Sequence, residues 1–193
     1  MSNNQFKRGF KAWCEKTAMA YRESLQLAPY SPLSPLSLIP QLNVLVVNFD
    51  DLSLPEESKS YLAQEGAEEW SAVTVSLNGK TAIIVNDVHN TGRKNNSLMH
   101  ELAHLILKHD PTSVNILAEG NIALRSYNEK SEKEADWLAA TLLLPKPALQ
   151  RMLGSRNTTK ESLLETYGVS DKLYTFRLNM TGLGRRATAH LNY

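Results

Sequence analysis

Residues 97–109 read Ser-Leu-Met-His-Glu-Leu-Ala-His-Leu-Ile-Leu-Lys-His and contain His100-Glu101-Leu102-Ala103-His104, a pattern that fits one helix at the edge of a core. Met99, Leu102, Ala103 and Ile106 recur at helical spacing and form an apolar stripe. His100 and His104, four apart, share a neighbouring face with their Cβ atoms about 5–6 Å apart. Two imidazoles so placed can bind one zinc ion while Glu101 reaches a water on it, the machinery of metal-assisted hydrolysis. Two packed histidines would not explain the Glu between them. Ser97 is a candidate N-cap, and Asp110-Pro111 stops the helix, because the residue before proline is pushed out of the helical region.

A catalytic zinc needs a third protein ligand. A return of the chain at a glycine is disfavoured here, since Leu107 occupies the turn position and Asp110 the position of a third His. A carboxylate from a second helix fits better, in Glu132-Lys-Glu-Ala-Asp136 followed by Trp137-Leu-Ala-Ala-Thr-Leu-Leu-Leu-Pro145. Glu132 and Asp136 lie one turn apart, so Glu132 can bind metal while Asp136 orients a ligand His through its other ring nitrogen. Glu134 is the rival ligand. Ser131 and Glu134 have the spacing of a capping box, which gives Glu134 a structural task and favours Glu132.

Together these residues resemble the ImmA/IrrE family of zinc metallopeptidases. The likeness rests on Ile83-Ile84-Val85-Asn86, Arg93-Lys94, His100-Glu101-x-x-His104, Glu132-x-Glu134-Ala135-Asp136 and Leu142-Leu-Leu-Pro145, in that order. Where many members carry an aromatic and a Thr before the helix, this chain has Asn95-Asn96-Ser97. The resemblance implies a zinc endopeptidase whose substrate is a regulatory protein, typically a helix-turn-helix transcriptional repressor associated with a mobile element or a stress response.

The rest of the chain suits an α+β protein, mostly helical, with a small antiparallel sheet beside the zinc helix. Residues 6 to about 27 form an opening amphipathic helix, after which Pro29, Pro32, Pro35 and Pro40 interrupt regular structure, leaving room for a short helical turn at 33–38. Residues 42–49 read as a strand. Residues 70–77 and 81–86 read as a hairpin across Asn78-Gly79, and either of its strands is a candidate edge on which an extended peptide would pair. Arg125 and Tyr127 have the chemistry of oxyanion stabilisers but suit surface or packing roles, and His89, His109 and His190 read as surface residues.

Residues 1–145 make the metallopeptidase-like domain, and residues 146–193 a short helical segment packed on it. Within that segment Thr158 and Glu161 form a capping box, Gly168 ends one helix and Ser170 caps the next, which resembles a helix-turn-helix. Lys172, Arg177, Arg185 and Arg186 lend it positive charge, diluted by Glu161, Glu165 and Asp171, so contact with protein is favoured over DNA.

A net charge of +1 over 193 residues argues against a general nucleic-acid coat or a membrane surface. The lone Cys14 suits a reducing compartment, and no apolar run approaches the ~18 residues of a membrane span, so the chain reads as cytosolic. The expected mechanism has His100, His104 and Glu132 on Zn2+, Glu101 as general base and Asp136 behind the ligands. The alternative is a non-proteolytic regulator, with zinc structural or sensory, that binds a repressor or DNA. Two His and a carboxylate also accept other divalent ions.

Overall fold

The computed structural model describes residues 6–53, 55, 56, 60, 71–77, 80–86, 89–109, 128–155 and 158–184. The opening helix α1 (Phe10–Ser24) is followed by a short 3-10 turn at Pro35–Leu38, the single-turn α2 (Ile39–Leu42) and strand β1 (Leu45–Asn48). Strands β2 (Ala72–Leu77) and β3 (Lys80–Val85) precede α3 (Thr91–Leu107) and α4 (Glu129–Leu143). Three shorter helices close the described chain: α5 (Lys146–Leu153), α6 (Lys160–Tyr167) and α7 (Asp171–Thr181). The architecture is α+β, as the sequence suggests.

The sheet order is β1-β3-β2. The expected hairpin is present, with Val73 opposite Ile84 and Leu77 opposite Lys80, which leaves two residues for the turn. Asn78 and Gly79 themselves lie outside the described residues. β1 adds a third, parallel strand, with Leu45 beside Ala82 and Asn48 beside Val85, so the sheet is mixed. β3 is therefore central, and among the described residues β2 is the hairpin strand at the edge of the sheet. The centre is where apolar residues are buried: Ala82, Ile83 and Val85 are all inside.

Helices α3 and α4 pack closely because small side chains face the contact. Ala103 on one side and Ala135 and Ala139 on the other are all buried, flanked by Met99, Leu102, Leu138 and Leu142. Helix α3 starts earlier than the sequence suggested: Asn90, not Ser97, is the N-cap, accepting from Arg93 N at 3.0 Å. Its first turns were concealed because Gly92, Arg93, Asn95 and Asn96 carry no apolar stripe. It ends at Leu107, where Lys108 takes a left-handed conformation with φ 54°.

Two buried arginines close the C-terminus of α4, whose last carbonyls have no intrahelical partners. Arg22 of α1 donates to Leu142 O at 2.8 Å, and also to Ala18 O and Ser31 O. Arg177 of α7 donates to Leu144 O at 2.7 Å, to Thr141 Oγ1 and to Glu15 Oε1. Arg177, counted in the sequence among charges available to DNA, is thus consumed inside the fold. The cap of α6 is Thr159 rather than Thr158, whereas Ser170 caps α7 as expected, accepting from Leu173 N at 3.2 Å. Gly168 ends α6 with φ 58°, and a Cβ there would come within 2.6 Å of Asn95 Nδ2 on α3. The turn between α6 and α7 therefore rests against the metal-motif helix.

Candidate metal centre

α3 carries His100, Glu101 and His104, and α4 lies across it carrying Glu132, Glu134 and Asp136. The structure brings His100, His104 and Glu132 together, with one ligand atom of each lying within 4.8 Å of the others. His100 Nε2 is 3.0 Å from His104 Nε2 and 3.1 Å from Glu132 Oε2, and His104 Nε2 is 3.5 Å from the same oxygen. Bonds of 2.0–2.1 Å in a tetrahedral arrangement place donor atoms about 3.3 Å apart, so the spacing of these three fits a zinc-sized ion. The donor set, two imidazole nitrogens and a carboxylate oxygen, fits a divalent metal equally well in chemistry.

The ring of His100 is held from behind. Its Nδ1 lies 2.9 Å from Asp136 Oδ1, one helical turn beyond Glu132. Burial opposes a charge on His100, yet the hydrogen bond and charge of Asp136, reinforced by Glu101 and Glu132, prevail and raise its pKa above the ordinary histidine value.

Glu101 is only 4% exposed and points toward the sheet, where its Oε2 accepts a hydrogen bond from the Thr74 hydroxyl of β2. Asn86 N donates to Ser71 O at 3.0 Å, which sets the alternation of the antiparallel ladder. Val73 and Val75 exchange hydrogen bonds with β3, so Ala72 and Thr74 turn their N–H and C=O groups to the side of β2 away from β3, the sheet's edge among the described residues. Thr74 thus faces the edge with its backbone and Glu101 with its side chain. The start of β2 is tied to α3 as well, since Arg93 Nε donates to Ser71 Oγ at 2.9 Å.

Glu134 does not close a capping box with Ser131. Asn128 is the N-cap of α4, accepting from Lys130 N at 3.1 Å and Ser131 N at 3.3 Å. Ser131 falls inside the helix, and the Glu134 carboxylate lies 3.4 Å from His109 Nε2 instead. His109 is not a surface residue either: its side chain is 12% exposed, and its Nδ1 stands 3.0 Å from His104 Nδ1. His89 is also buried, at 7% exposure. The spacing of His109, five residues after His104, carries no helical signal because the chain leaves the helix at Lys108. Thr74 had no signal beyond lying on the polar face of its strand. Arg125, Tyr127, Arg185, Arg186 and His190 lie outside the described residues.

Residues 45–179 match the family model of the Peptidase M78 group, the IrrE N-terminal-like domain. The chain belongs to this family. The match spans the sheet, both helices of the candidate metal centre and nearly all of α7, so membership rests on the whole scaffold rather than on five motif residues. No curated protein matches the chain. Among solved structures it is similar to a Mycobacterium tuberculosis transcriptional regulator, with a TM-score of 0.53 and 13% identity over 91% of this chain and 48% of that one. At that identity the likeness is one of fold, and this chain spans about half the length of that protein. No helix among the described residues is long and apolar enough to cross a membrane.

Proposed function

We propose that this chain is a zinc-dependent endopeptidase that hydrolyses a peptide bond in a regulatory protein. The observation that carries the reading is the convergence of His100, His104 and Glu132 on one point at metal-ligand spacing, with Glu101 beside them and oriented by an edge strand. A site that only bound metal for structure would have no use for that carboxylate.

His100 and His104 would hold zinc through Nε2 and Glu132 through Oε2, while Asp136 keeps the His100 ring turned correctly. When bound, such an ion would supply Lewis acidity for the scissile carbonyl and would lower the pKa of a water toward neutral. Glu101 accepts a proton from the attacking water as its oxygen bonds to the carbonyl carbon. The C–N bond then breaks, and Glu101 returns the proton to the leaving amine. An extended substrate pairing with β2 would meet the outward backbone groups of Ala72 and Thr74, next to the base.

Family membership supports a protein substrate, and the resemblance read from the motif residues implies a transcriptional repressor. A protein partner suits the C-terminal helices better than DNA does, because Arg177 is buried and the α6–α7 turn packs on α3. The test is elemental analysis of protein purified without chelator, followed by incubation of wild type and Glu101→Gln with repressors encoded nearby. About one zinc per chain in both proteins, with cleavage by wild type alone, is the expected result. Cleavage by Glu101→Gln would remove that residue from the chemistry, and a wild type that takes up no zinc would overturn the reading.

A further inference from the structure

Resting on that reading of the metal centre, we propose that His109 and Glu134 form a positioning pair that fixes the ring tautomer of His104. A histidine binds metal through one nitrogen only if that nitrogen has no proton, and the proton then sits on the other, where it needs an acceptor. For His100 the acceptor is Asp136. His104 is met by a different group. Its Nδ1 meets another imidazole nitrogen, Nδ1 of His109, at 3.0 Å, and an imidazole nitrogen can either donate or accept.

Glu134 resolves the ambiguity. Its Oε2 stands 3.4 Å from His109 Nε2, and an ionised carboxylate only accepts. The proton of neutral His109 is thereby drawn to Nε2, which leaves Nδ1 as a lone-pair acceptor. That acceptor takes the Nδ1–H of His104, and the lone pair of His104 Nε2 is left facing His100 Nε2 and Glu132 Oε2. His109 meets His104 at Nδ1, while His100 and Glu132 face its Nε2, so His109 acts behind the centre and not in it. The left-handed Lys108 makes the geometry available, because it ends α3 and turns the chain so that His109 folds back on the last turn, its amide donating to His104 O at 3.0 Å. The two ligand histidines are then held by unlike devices, one by an exposed carboxylate and the other by a largely covered two-residue relay.

The test compares full-length wild type, His109→Ala, His109→Asn and Glu134→Ala. Zinc affinity is measured by competition with a chromophoric chelator, and the ring tautomers of the zinc-free proteins by nitrogen-15 NMR at mildly alkaline pH. Asn places an amide oxygen near the position of the His109 Nδ1 and restores the acceptor without restoring the ring. The expected result is a loss of zinc affinity of about 10- to 100-fold in His109→Ala and Glu134→Ala, with most of it recovered in His109→Asn. Zinc-free wild type should hold His104 with its proton on Nδ1, and His109→Ala should lose that preference. Wild-type affinity in His109→Ala, no recovery in His109→Asn, or a wild-type His104 protonated on Nε2 would each overturn the pair's role while leaving the metal centre standing. Wild type that binds no zinc would overturn the centre itself, and this inference with it.

Discussion

The hydroxyl of Thr74 donates to the carboxylate of Glu101, joining the edge strand of the sheet to the helix that carries the metal motif. One residue thereby serves two surfaces, since its backbone groups face the side of β2 away from β3. Thr74→Val keeps the β-branched shape that suits a strand and removes only the donor. The expected outcome is a fall in kcat of about tenfold, equal to ~1.4 kcal/mol of barrier, with KM nearly unchanged. Steady-state kinetics on a cleavable peptide, with zinc content as the control, checks it. A change in KM alone would show that the hydroxyl serves binding and not the base.

Asp136 raises the pKa of His100, and the proton it favours competes with a metal for the same ring. Metal affinity should therefore fall as the pH drops through that raised value, before a free histidine would lose it. Asp136→Asn removes the charge, so His100 protonates at lower pH and the acid loss of affinity moves down. At alkaline pH the variant should still bind about 10- to 100-fold more weakly, because the ring is less firmly held. Chelator competition across a pH series separates the two effects.

Arg22 is wholly buried, with three carbonyl partners drawn from α1, the segment after it and the end of α4. Burial lowers its pKa to about 10, which leaves it charged at neutral pH. Arg22→Met fills most of the volume and leaves those carbonyls without their donors, a loss of about 3 kcal/mol. Denaturant unfolding of the zinc-free proteins measures it. Stability within about 0.5 kcal/mol of wild type would mean that water replaces the guanidinium without cost.

Cys14 faces the core, and burial, with Glu15 beside it, pushes its thiol from 9.0 to about 12. The protonated form is the one the fold favours, so its contribution is whole below pH 9.0 and is lost as the pH rises toward 12. At neutral pH the native protein should not react with a thiol-directed reagent on the timescale of minutes, while the unfolded protein should react at once. Rapid native labelling would show that α1 opens.

Much of this protein was legible because helical and strand periods are local. The i, i+4 spacing of His100 and His104, the alternation of Val73, Thr74 and Val75, and the cap at Ser170 each depend on residues within one turn or one hairpin. Glu132 and Asp136 could be paired for the same reason, as neighbours on one helix face. What the sequence left undecided was which face meets which. That β3 is central and β2 the edge follows from the parallel pairing of β1, a contact between segments more than thirty residues apart. That Glu134 serves His109 and not the start of its own helix follows from where α4 crosses α3. Local patterning placed side chains on faces; only the packing of α3, α4 and the sheet decided their partners, because a hydrogen bond reaches about 3 Å and nothing in the chain's order records which distant groups come that close.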